Sequence, residues 1–325
     1  MTRWTPRLVV VVGYPDAELL DIAGVTSSLV LANDFAGAQP PYKVIVATPG
    51  GRPITCPPGL TLQSQHALER LTGRLDTVVV SGGRGCEAVA DDPALVVHVR
   101  RIARRSRRVA SVCTGASILA ATGLLDGRRA TTHWGYAGRL AARYPRVTVD
   151  PRPIYIRDGN VVTAAGVTSA LDLALALIEE DHGPDTARRV ARELVTYLQR
   201  PGNQAQVSMF VATPPPEHGL VRRVADHVAS HLNADLTTTT LAAMAGVSTR
   251  HLTRLFVEDV GQTPGRYVRQ ARTEAAAQLL ASSPLPVARV ARRCGFGSPE
   301  TLRQAFIARY GTTPSRYRAT QGRRS

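Results

Sequence analysis

The hydrophobic pattern of the first two hundred residues predicts buried strands that alternate with helices. Residues 7–12 are apolar after Arg7, which is typical of a strand buried on both faces of a parallel sheet. Similar runs predict strands at 44–47, 76–81, 109–112, 147–149, 154–157 and 161–163, and helical spacing predicts helices at 16–34, 65–71, 93–106, 116–122, 167–181 and 184–199. The alternation predicts an α/β fold with a doubly wound, mostly parallel sheet.

The last ninety residues carry a pattern that occurs twice. Residues 241–248 match residues 290–297 in their small, apolar and glycine positions. The motif Gly-x-Thr-Pro-x-Arg-Tyr then follows at 261–267 and again at 311–317. A repeat of this kind indicates one supersecondary unit used twice. We therefore expect an all-α domain with two helix-turn-helix units.

Each unit is predicted to expose the polar face of its second helix. Gly246 ends a short helix and Ser248 caps the next one, and Gly295 and Ser298 take these places in the second unit. Apolar side chains recur on one face of each second helix, so the polar ones point outward, where they supply donors and acceptors that read base edges. The candidate DNA-binding residues are Thr249, Arg250, Thr253, Arg254, Glu300, Thr301, Arg303 and Gln304. The alternative is a plain helical bundle with an ordinary charged surface.

The segment between the two units has the length of one long helix, at 266–282. Such a helix holds the second helices of the units at a fixed separation, so that both enter successive major grooves on one side of a duplex.

The charge distribution separates the two parts of the chain. The net charge is +15, but 39 of the 40 basic residues are arginine, which indicates a compositional bias. Residues 215–325 carry 16 arginines against 7 acidic residues, whereas the first 214 carry 24 basic and 18 acidic residues. The second part is more basic per residue, as phosphate contact requires. We interpret the dense arginine run at 100–108 as a solvated helix face.

Three consecutive prolines at 214–216 interrupt the helical pattern. We therefore predict an α/β domain at 1–200, a linker at 201–219 and a helical domain at 220–325.

On the repeated motifs, residues 222–318 resemble the DNA-binding domain of the AraC/XylS family of transcription regulators. The resemblance implies that the outward side chains of both second helices contact bases in double-stranded promoter DNA. Many members carry arginine at the position of Gln304, so the base preference of the second unit does not transfer.

Neither a membrane segment nor a metal or cofactor motif is expected. No apolar run reaches the roughly 18 residues of a membrane span, and the start lacks the apolar stretch of a signal peptide, which predicts a cytoplasmic protein. The four cysteines have no Cys-x-x-Cys spacing, so neither a disulfide framework nor a zinc site is indicated. Cys86 and Cys294 are predicted to be core residues, and Cys56 a loop residue.

Cys113 stands where the strand at 109–112 turns sharply into a helix. Such an elbow exposes one side chain at the carboxyl edge of the sheet, and the helix start is expected to lower the pKa of the thiol. This edge is the usual ligand crevice of an open α/β sheet. The candidate pocket residues are Asp21, Gly82, Gly83, Cys113, Thr114 and His133.

The residues from Cys113 to Trp134 carry a second resemblance. The region 7–200 is similar to the ThiJ/PfpI group within the class I amidotransferase-like fold, in the version fused to AraC-type regulators. This implies a flavodoxin-like sheet and an acid partner for the cysteine, a place that Asp21 holds. Hydrolytic relatives place histidine directly after the cysteine, where this chain has Thr114.

Three interpretations of Cys113 stay open: catalysis, redox sensing, and a place in an inherited ligand pocket or in a pure dimerisation module. The thiol has no evident proton acceptor, so we predict no catalytic residue and no enzyme. The expected function is a homodimeric transcription regulator that responds to a small-molecule effector. The rival is a cysteine-dependent hydrolase or hydratase with an accessory DNA-binding domain.

Overall fold

The chain divides into two compact units, Met1–Gln206 and Val207–Ser325. The computed structural model describes residues 5–37, 39–196, 200, 202, 206 and 216–321. Most of the predicted linker, 201–219, lies outside the described residues. Within it, the Gly202 carbonyl accepts a hydrogen bond from Tyr155 N–H (3.2 Å), and Gln206 N–H donates to the Arg152 carbonyl (2.9 Å).

The first unit is built on one seven-stranded sheet. Its order is β10-β11-β7-β6-β1-β2-β5, and every neighbouring pair is parallel except β10 with β11. This confirms the predicted mostly parallel sheet. The strands of this unit are β1 (Arg7–Val12), β2 (Tyr42–Thr48), β3 (Ile54–Cys56), β4 (Leu60–Leu62), β5 (His66–Ala67), β6 (Leu75–Val80), β7 (Ser106–Ser111), β8 (Arg129–Ala130), β9 (Thr148–Val149), β10 (Tyr155–Asp158) and β11 (Val161–Ala164).

Helices form two groups around this sheet. One group packs α1 on α6 and α7, and the other packs α2 on α3 and α4. The helices of the unit are α1 (Leu19–Ala32), α2 (Cys86–Asp91), α3 (Pro93–Ala103), α4 (Gly115–Ala121), α5 (Ala137–Arg143), α6 (Ser169–His182) and α7 (Pro184–Glu193).

The strand order reverses between β1 and β6. The chain moves from β1 to β2 in one direction along the sheet and from β6 to β7 in the other, so right-handed crossovers place their helices on opposite faces. A crevice opens at the carboxyl ends of strands at such a switch point. The segments after β1, β6 and β7 therefore meet at one edge of the sheet.

Some predicted elements of the first unit were wrong. The helix expected at 65–71 is the short strand β5 followed by a 3₁₀ turn at Leu68–Arg70, because His66 and Ala67 pair with the edge of β2. The strand expected at 147–149 pairs with β8 in a separate two-stranded sheet instead of joining the main one. Cys56 is a fully buried strand residue rather than a loop residue.

The ends of three predicted helices also moved. Helix α1 begins at Leu19 instead of Asp16, because Asp16 has a φ of 62° and Ala17 forms a bridge with Gly83. Helix α3 ends at Ala103, since Ser106 already enters β7. Helix α7 ends at Glu193, and residues 197–199 of the helix expected there lie outside the described residues.

The arginine run at 100–108 is not simply a solvated helix face, because its last residue is buried in β7. The Arg108 side chain is 2% exposed and donates to Asp181 (2.6 Å) and Glu180 (2.9 Å) of α6. Arg107 also pairs with Asp181 (2.8 Å). Although burial opposes ionisation, the Arg108 guanidinium holds the pKa of Asp181 below its usual range.

The second unit is helical throughout its described part, and its apolar residues form two cores. One core runs from Val221 to Ala271 and the other from Ala276 to Tyr317. The longest helix, α11, contributes to both. The helices are α8 (Gly219–Ser230), α9 (Thr238–Met244), α10 (Thr249–Val260), α11 (Pro264–Ser282), α12 (Val287–Arg293), α13 (Pro299–Tyr310) and α14 (Pro314–Gln321). The predicted pair of helix-turn-helix units joined by one helix is confirmed.

In the described part of the chain, no helix combines the length and the apolar composition needed to cross a bilayer.

We predict that Arg108→Met lowers the free energy of unfolding of the unit Met1–Gln206 by about 3 kcal/mol, because Asp181 loses its fully buried arginine partner and keeps only Arg107, which is partly exposed, as a close ion pair. Urea denaturation of the full chain measures this. Arg107→Met is the matched control: its side chain is 36% exposed, so its loss should cost roughly 1 kcal/mol. Equal losses in the two variants would contradict the assignment.

Candidate nucleic-acid interface and cysteine site

The second helix of the first helix-turn-helix unit, α10, is held in place by its N-terminal cap and by its buried apolar face. Ser248 Oγ accepts a hydrogen bond from His251 N–H (3.2 Å), and Gly246 before it has a φ of 69°. Leu252, Leu255 and Phe256 are buried in the first core. As a result Thr249, Arg250 and Arg254 are exposed, while Thr253 is half-buried and its hydroxyl donates to the Thr249 carbonyl (2.8 Å).

The second helix of the second helix-turn-helix unit, α13, repeats this construction. Ser298 Oγ accepts from Thr301 N–H (3.1 Å), and Pro299 occupies the first helical position, where its missing N–H costs nothing. Leu302 and Phe306 are fully buried. The predicted reading residues Glu300, Thr301, Arg303 and Gln304 are all exposed. We call α10 and α13 the reading helices.

The two reading helices differ in the charge that they offer. Within the described residues Arg250 has no ion-pair partner, and Arg254 lies 3.9 Å from Glu258. On α13, by contrast, both nitrogens of the Arg303 fork donate to Glu300 at 2.7 Å, and Gln304 donates to the same carboxylate at 3.2 Å. The charged side chains of α13 thus pair with one another, whereas on α10 Arg250 has no ion pair among the described residues and Arg254 makes only a long one with Glu258.

The linking helix adds two arginines that the sequence analysis did not select. Arg266 and Arg269 are exposed, and in the described part of the chain they have no ion pair. Both line a groove of about 310 Å³ together with Thr301 and Gln304 of α13. The signal was present in the sequence, because Arg266 is the arginine of the repeated Gly-x-Thr-Pro-x-Arg-Tyr motif.

In the α/β unit, Met1–Gln206, Cys113 occupies the predicted sharp turn between β7 and α4. Its φ is 54°, a conformation that residues other than glycine rarely adopt. The Cys113 N–H donates to the Ala165 carbonyl (2.7 Å), and its carbonyl accepts from the Thr132 hydroxyl (2.8 Å). These contacts hold the strained turn from two segments, one after β8 and one after β11.

Asp21 and Cys113 meet at Gly82. The Asp21 Oδ2 accepts a hydrogen bond from Gly82 N–H (2.8 Å). A Cβ on Gly82 would lie 2.4 Å from the Cys113 Cβ and 2.8 Å from Asp21 Oδ2, so only glycine fits between them. The Thr114 hydroxyl both accepts from Gly83 N–H (2.9 Å) and donates to its carbonyl (3.0 Å). Five of the six predicted pocket residues are therefore neighbours.

Burial raises the pKa of both acidic groups of the cysteine site. It raises the pKa of Asp21 to about 7, and burial together with the nearby Asp21 carboxyl raises the pKa of the Cys113 thiol to about 12. The expectation that the helix start lowers the thiol pKa was wrong, since loss of hydration outweighs the N–H groups. Asp21 Oδ1 is buried with no hydrogen-bond partner among the described residues.

His133, the sixth predicted residue, borders this site without joining it. In the described part of the chain no hydrogen bond links it to Cys113; its Nδ1 accepts from Gly135 N–H (3.2 Å). Its ring stacks on Trp134, and a Cβ on Gly166 would lie 2.4 Å from its Cδ2. Burial lowers the pKa of His133. The imidazole therefore caps a short turn and, among the described residues, makes no hydrogen bond to the thiol.

Gln206 is a residue of this region that sequence analysis missed. Its Nε2 donates to the Thr132 carbonyl (2.7 Å) and its Oε1 accepts from Trp134 N–H (3.0 Å). It holds both sides of His133 by contacts from 72 residues or more along the chain, which no local pattern shows.

Two family models match the chain. The DJ-1/PfpI family model covers residues 9–180, and a helix-turn-helix domain model covers residues 241–320. A solved ThiJ/PfpI family protein from Pseudomonas syringae superposes with a TM-score of 0.55 at 24% identity, over 75% of this chain and 92% of that protein. This likeness supports the fold.

Two regulators of known name match over both units, and one enzyme matches over part of the chain. The HTH-type transcriptional regulator CdhR of Pseudomonas aeruginosa is 33% identical over 94% of this chain and 89% of the relative. The HTH-type transcriptional regulator GlxA of Rhizobium meliloti is 32% identical over 94% and 93%. An isonitrile hydratase of Pseudomonas putida is 35% identical over 56% of this chain and 75% of the relative. The chain therefore belongs to the DJ-1/PfpI family and carries a helix-turn-helix domain behind the family domain.

Proposed function

We propose that the protein is a sequence-specific transcription regulator that binds double-stranded promoter DNA with both reading helices. The observation that carries the proposal is the matched construction of α10 and α13: each is capped by serine, buried on one face and polar on the other. The names of CdhR and GlxA agree with this function.

The linking helix suits two adjacent major grooves. Helix α11 has 19 residues, which corresponds to a length of about 28 Å at about 1.5 Å per residue. Successive major grooves on one side of a duplex are on the order of 34 Å apart. A rigid spacer of this length supports simultaneous entry of both reading helices. The eight predicted residues of α10 and α13, together with Arg266 and Arg269, form the proposed DNA-binding surface.

For the α/β unit, Met1–Gln206, we propose two roles in a cytoplasmic homodimer: it senses a small-molecule effector and it forms the dimer. The site lies at the switch point of the sheet, where open α/β folds bind small ligands. Its thiol is neutral and lacks a hydrogen-bonded base in the described part of the chain, which favours binding of an effector over turnover. Dimerisation would raise operator affinity through effective concentration alone.

A second candidate function is hydration of an isonitrile. Two observations favour it: the similarity to the isonitrile hydratase of Pseudomonas putida, and a buried Asp21 whose pKa of about 7 suits proton transfer beside Cys113. Against it stand the unreactive thiol and Thr114 in place of histidine.

Replacing Arg254 with alanine tests the proposed DNA-binding function. We expect a loss of roughly 1–3 kcal/mol in operator binding and a relaxed preference at one base position, measured by selection of bound sequences and by titration. Arg292→Ala, on the exposed face of α12 outside the reading helices, is the control and should weaken binding uniformly. An unchanged affinity and footprint in Arg254→Ala would remove this residue from the interface.

Replacing Glu300 with glutamine should free Arg303 to contact a phosphate. We expect tighter binding to non-cognate DNA and a plot of log affinity against log salt that is steeper by about 0.9, the value for one added phosphate contact. Asp226→Asn, on exposed α8, removes the same charge away from the reading helices. Equal effects of the two substitutions would show that only net charge matters.

Cys113→Ser separates sensing from hydratase chemistry. We expect the wild-type protein not to convert an alkyl isonitrile and water into the N-substituted formamide, as followed by NMR, and the variant to bind operator DNA with wild-type affinity. The thiol is buried in the first unit and is not part of the reading helices. Formamide production by the wild type that disappears in Cys113→Ser would establish the second candidate function instead.

A further inference from the structure

The two helix-turn-helix units touch each other at one arginine of the linking helix. Arg272 lies between the part of α11 that enters the first core and the part that enters the second. Its Nε donates to the Leu232 carbonyl (2.9 Å) and its Nη2 donates to the Ala234 carbonyl (2.7 Å). Both carbonyls belong to the loop that joins α8 to α9, so the Arg272 guanidinium ties α11 to the first helix-turn-helix unit.

The turn of the second unit rests on the same group. A Cβ on Gly295 would lie 2.2 Å from the Leu232 carbonyl oxygen and 2.7 Å from Arg272 Nε. The backbone of the turn in the second helix-turn-helix unit is thus in direct contact with the Leu232 carbonyl of the first helix-turn-helix unit and with Arg272. We call Leu232, Ala234, Arg272 and Gly295 the inter-unit junction.

The corresponding glycine of the first helix-turn-helix unit, Gly246, has no such neighbour. Gly246 has a φ of 69°, close to the 75° of Gly295, so both glycines supply a left-handed turn. A Cβ on Gly246 would meet nothing within 4 Å. The repeat therefore uses one glycine for conformation alone and the other for conformation and close approach.

The junction also forms part of a groove that ends at a reading helix. The groove encloses about 570 Å³, and its lining includes Arg272 and Gly295 as well as Thr237 and Thr238 at the start of α9 and Thr301 of α13. The first unit supplies one wall and the second unit another. A displacement of Arg272 or Gly295 at the junction would therefore move α13 relative to the first helix-turn-helix unit.

We propose that the inter-unit junction sets the separation and rotational phase of the two reading helices, which makes Arg272 a positioning residue for operator spacing. The inference rests on the proposed DNA-binding function. One base pair changes the axial separation by about 3.4 Å, and a full turn takes about 10–10.5 base pairs. Two units joined only by a helix between separate cores would bend to tolerate such a change, whereas units clasped at the junction resist it.

The guanidinium fork is essential to this role. It donates to two carbonyls at once from one planar group, which an ammonium group on a flexible stem does not reproduce. Arg272→Lys keeps the positive charge and loses the fork. It therefore distinguishes positioning from simple attraction to phosphate.

The test measures binding of the full chain to a series of duplexes. The two half-site sequences, obtained by selection with the wild-type protein, are separated by spacers that differ by one base pair. We expect the wild type to prefer one spacing by about tenfold or more over its neighbours, which corresponds to about 1.4 kcal/mol. We expect Arg272→Met and Arg272→Lys to lose most of this preference, with unchanged affinity for a duplex that carries one half-site.

A matched pair of glycine variants keeps the test independent of arginine chemistry. Both Gly246→Ala and Gly295→Ala place alanine at a positive φ and share that strain, but only Gly295→Ala presses on Leu232 and Arg272. The spacing preference should survive in Gly246→Ala and weaken in Gly295→Ala. Circular dichroism verifies that each variant is helical, and one folded variant of each kind suffices.

Two results would overturn the inference in distinguishable ways. If the wild type selects a spacing and the folded Arg272 and Gly295 variants keep it, the junction does not position the reading helices. If the wild type selects no DNA sequence at all, the proposed function fails and the inference falls with it.

Discussion

Burial of one helix in two separate hydrophobic cores is the constraint on which the DNA-binding unit depends. Helix α11 places Tyr267, Val268 and Ala271 in the first core and Ala276 and Leu280 in the second. Each core alone is small and closes around a single capped reading helix. Because the same helix serves both, its length sets the distance between the reading helices, and contacts beside it at the inter-unit junction set their phase.

The repeat is similar in construction and different in charge. Each unit caps its reading helix with serine and buries two or three apolar side chains beneath it. The first presents Arg250 and Arg254, while the second balances Arg303 against Glu300. A helix with an unpaired cation such as Arg250 gains affinity from any duplex, whereas a self-paired helix must exchange internal hydrogen bonds for contacts with bases. The two units therefore divide affinity and discrimination unequally.

The first unit keeps the architecture of its family's crevice with altered chemistry. Cys113 occupies the strained turn and Asp21 the acid position. Burial raises the pKa of the thiol to about 12 and that of Asp21 to about 7, so near neutral pH the thiol is protonated and the carboxyl is only partly ionised. Thr114 uses its hydroxyl to hold Gly83 instead of supplying a base. A crevice with a protonated thiol suits a ligand-binding site better than a nucleophilic one.

The sequence by itself determined the features that depend on a few neighbouring residues: the apolar run of β1, the serine caps, the left-handed glycines and the duplicated units. These follow from periodicity and local hydrogen bonds, which adjacent side chains decide. Only the tertiary structure decided that Arg108 is buried against α6, that Gly82 separates Asp21 from Cys113, and that Gly295 touches Leu232. Such contacts join residues about 30 to 70 positions apart, so strand order and helix packing, which no local pattern encodes, determine them.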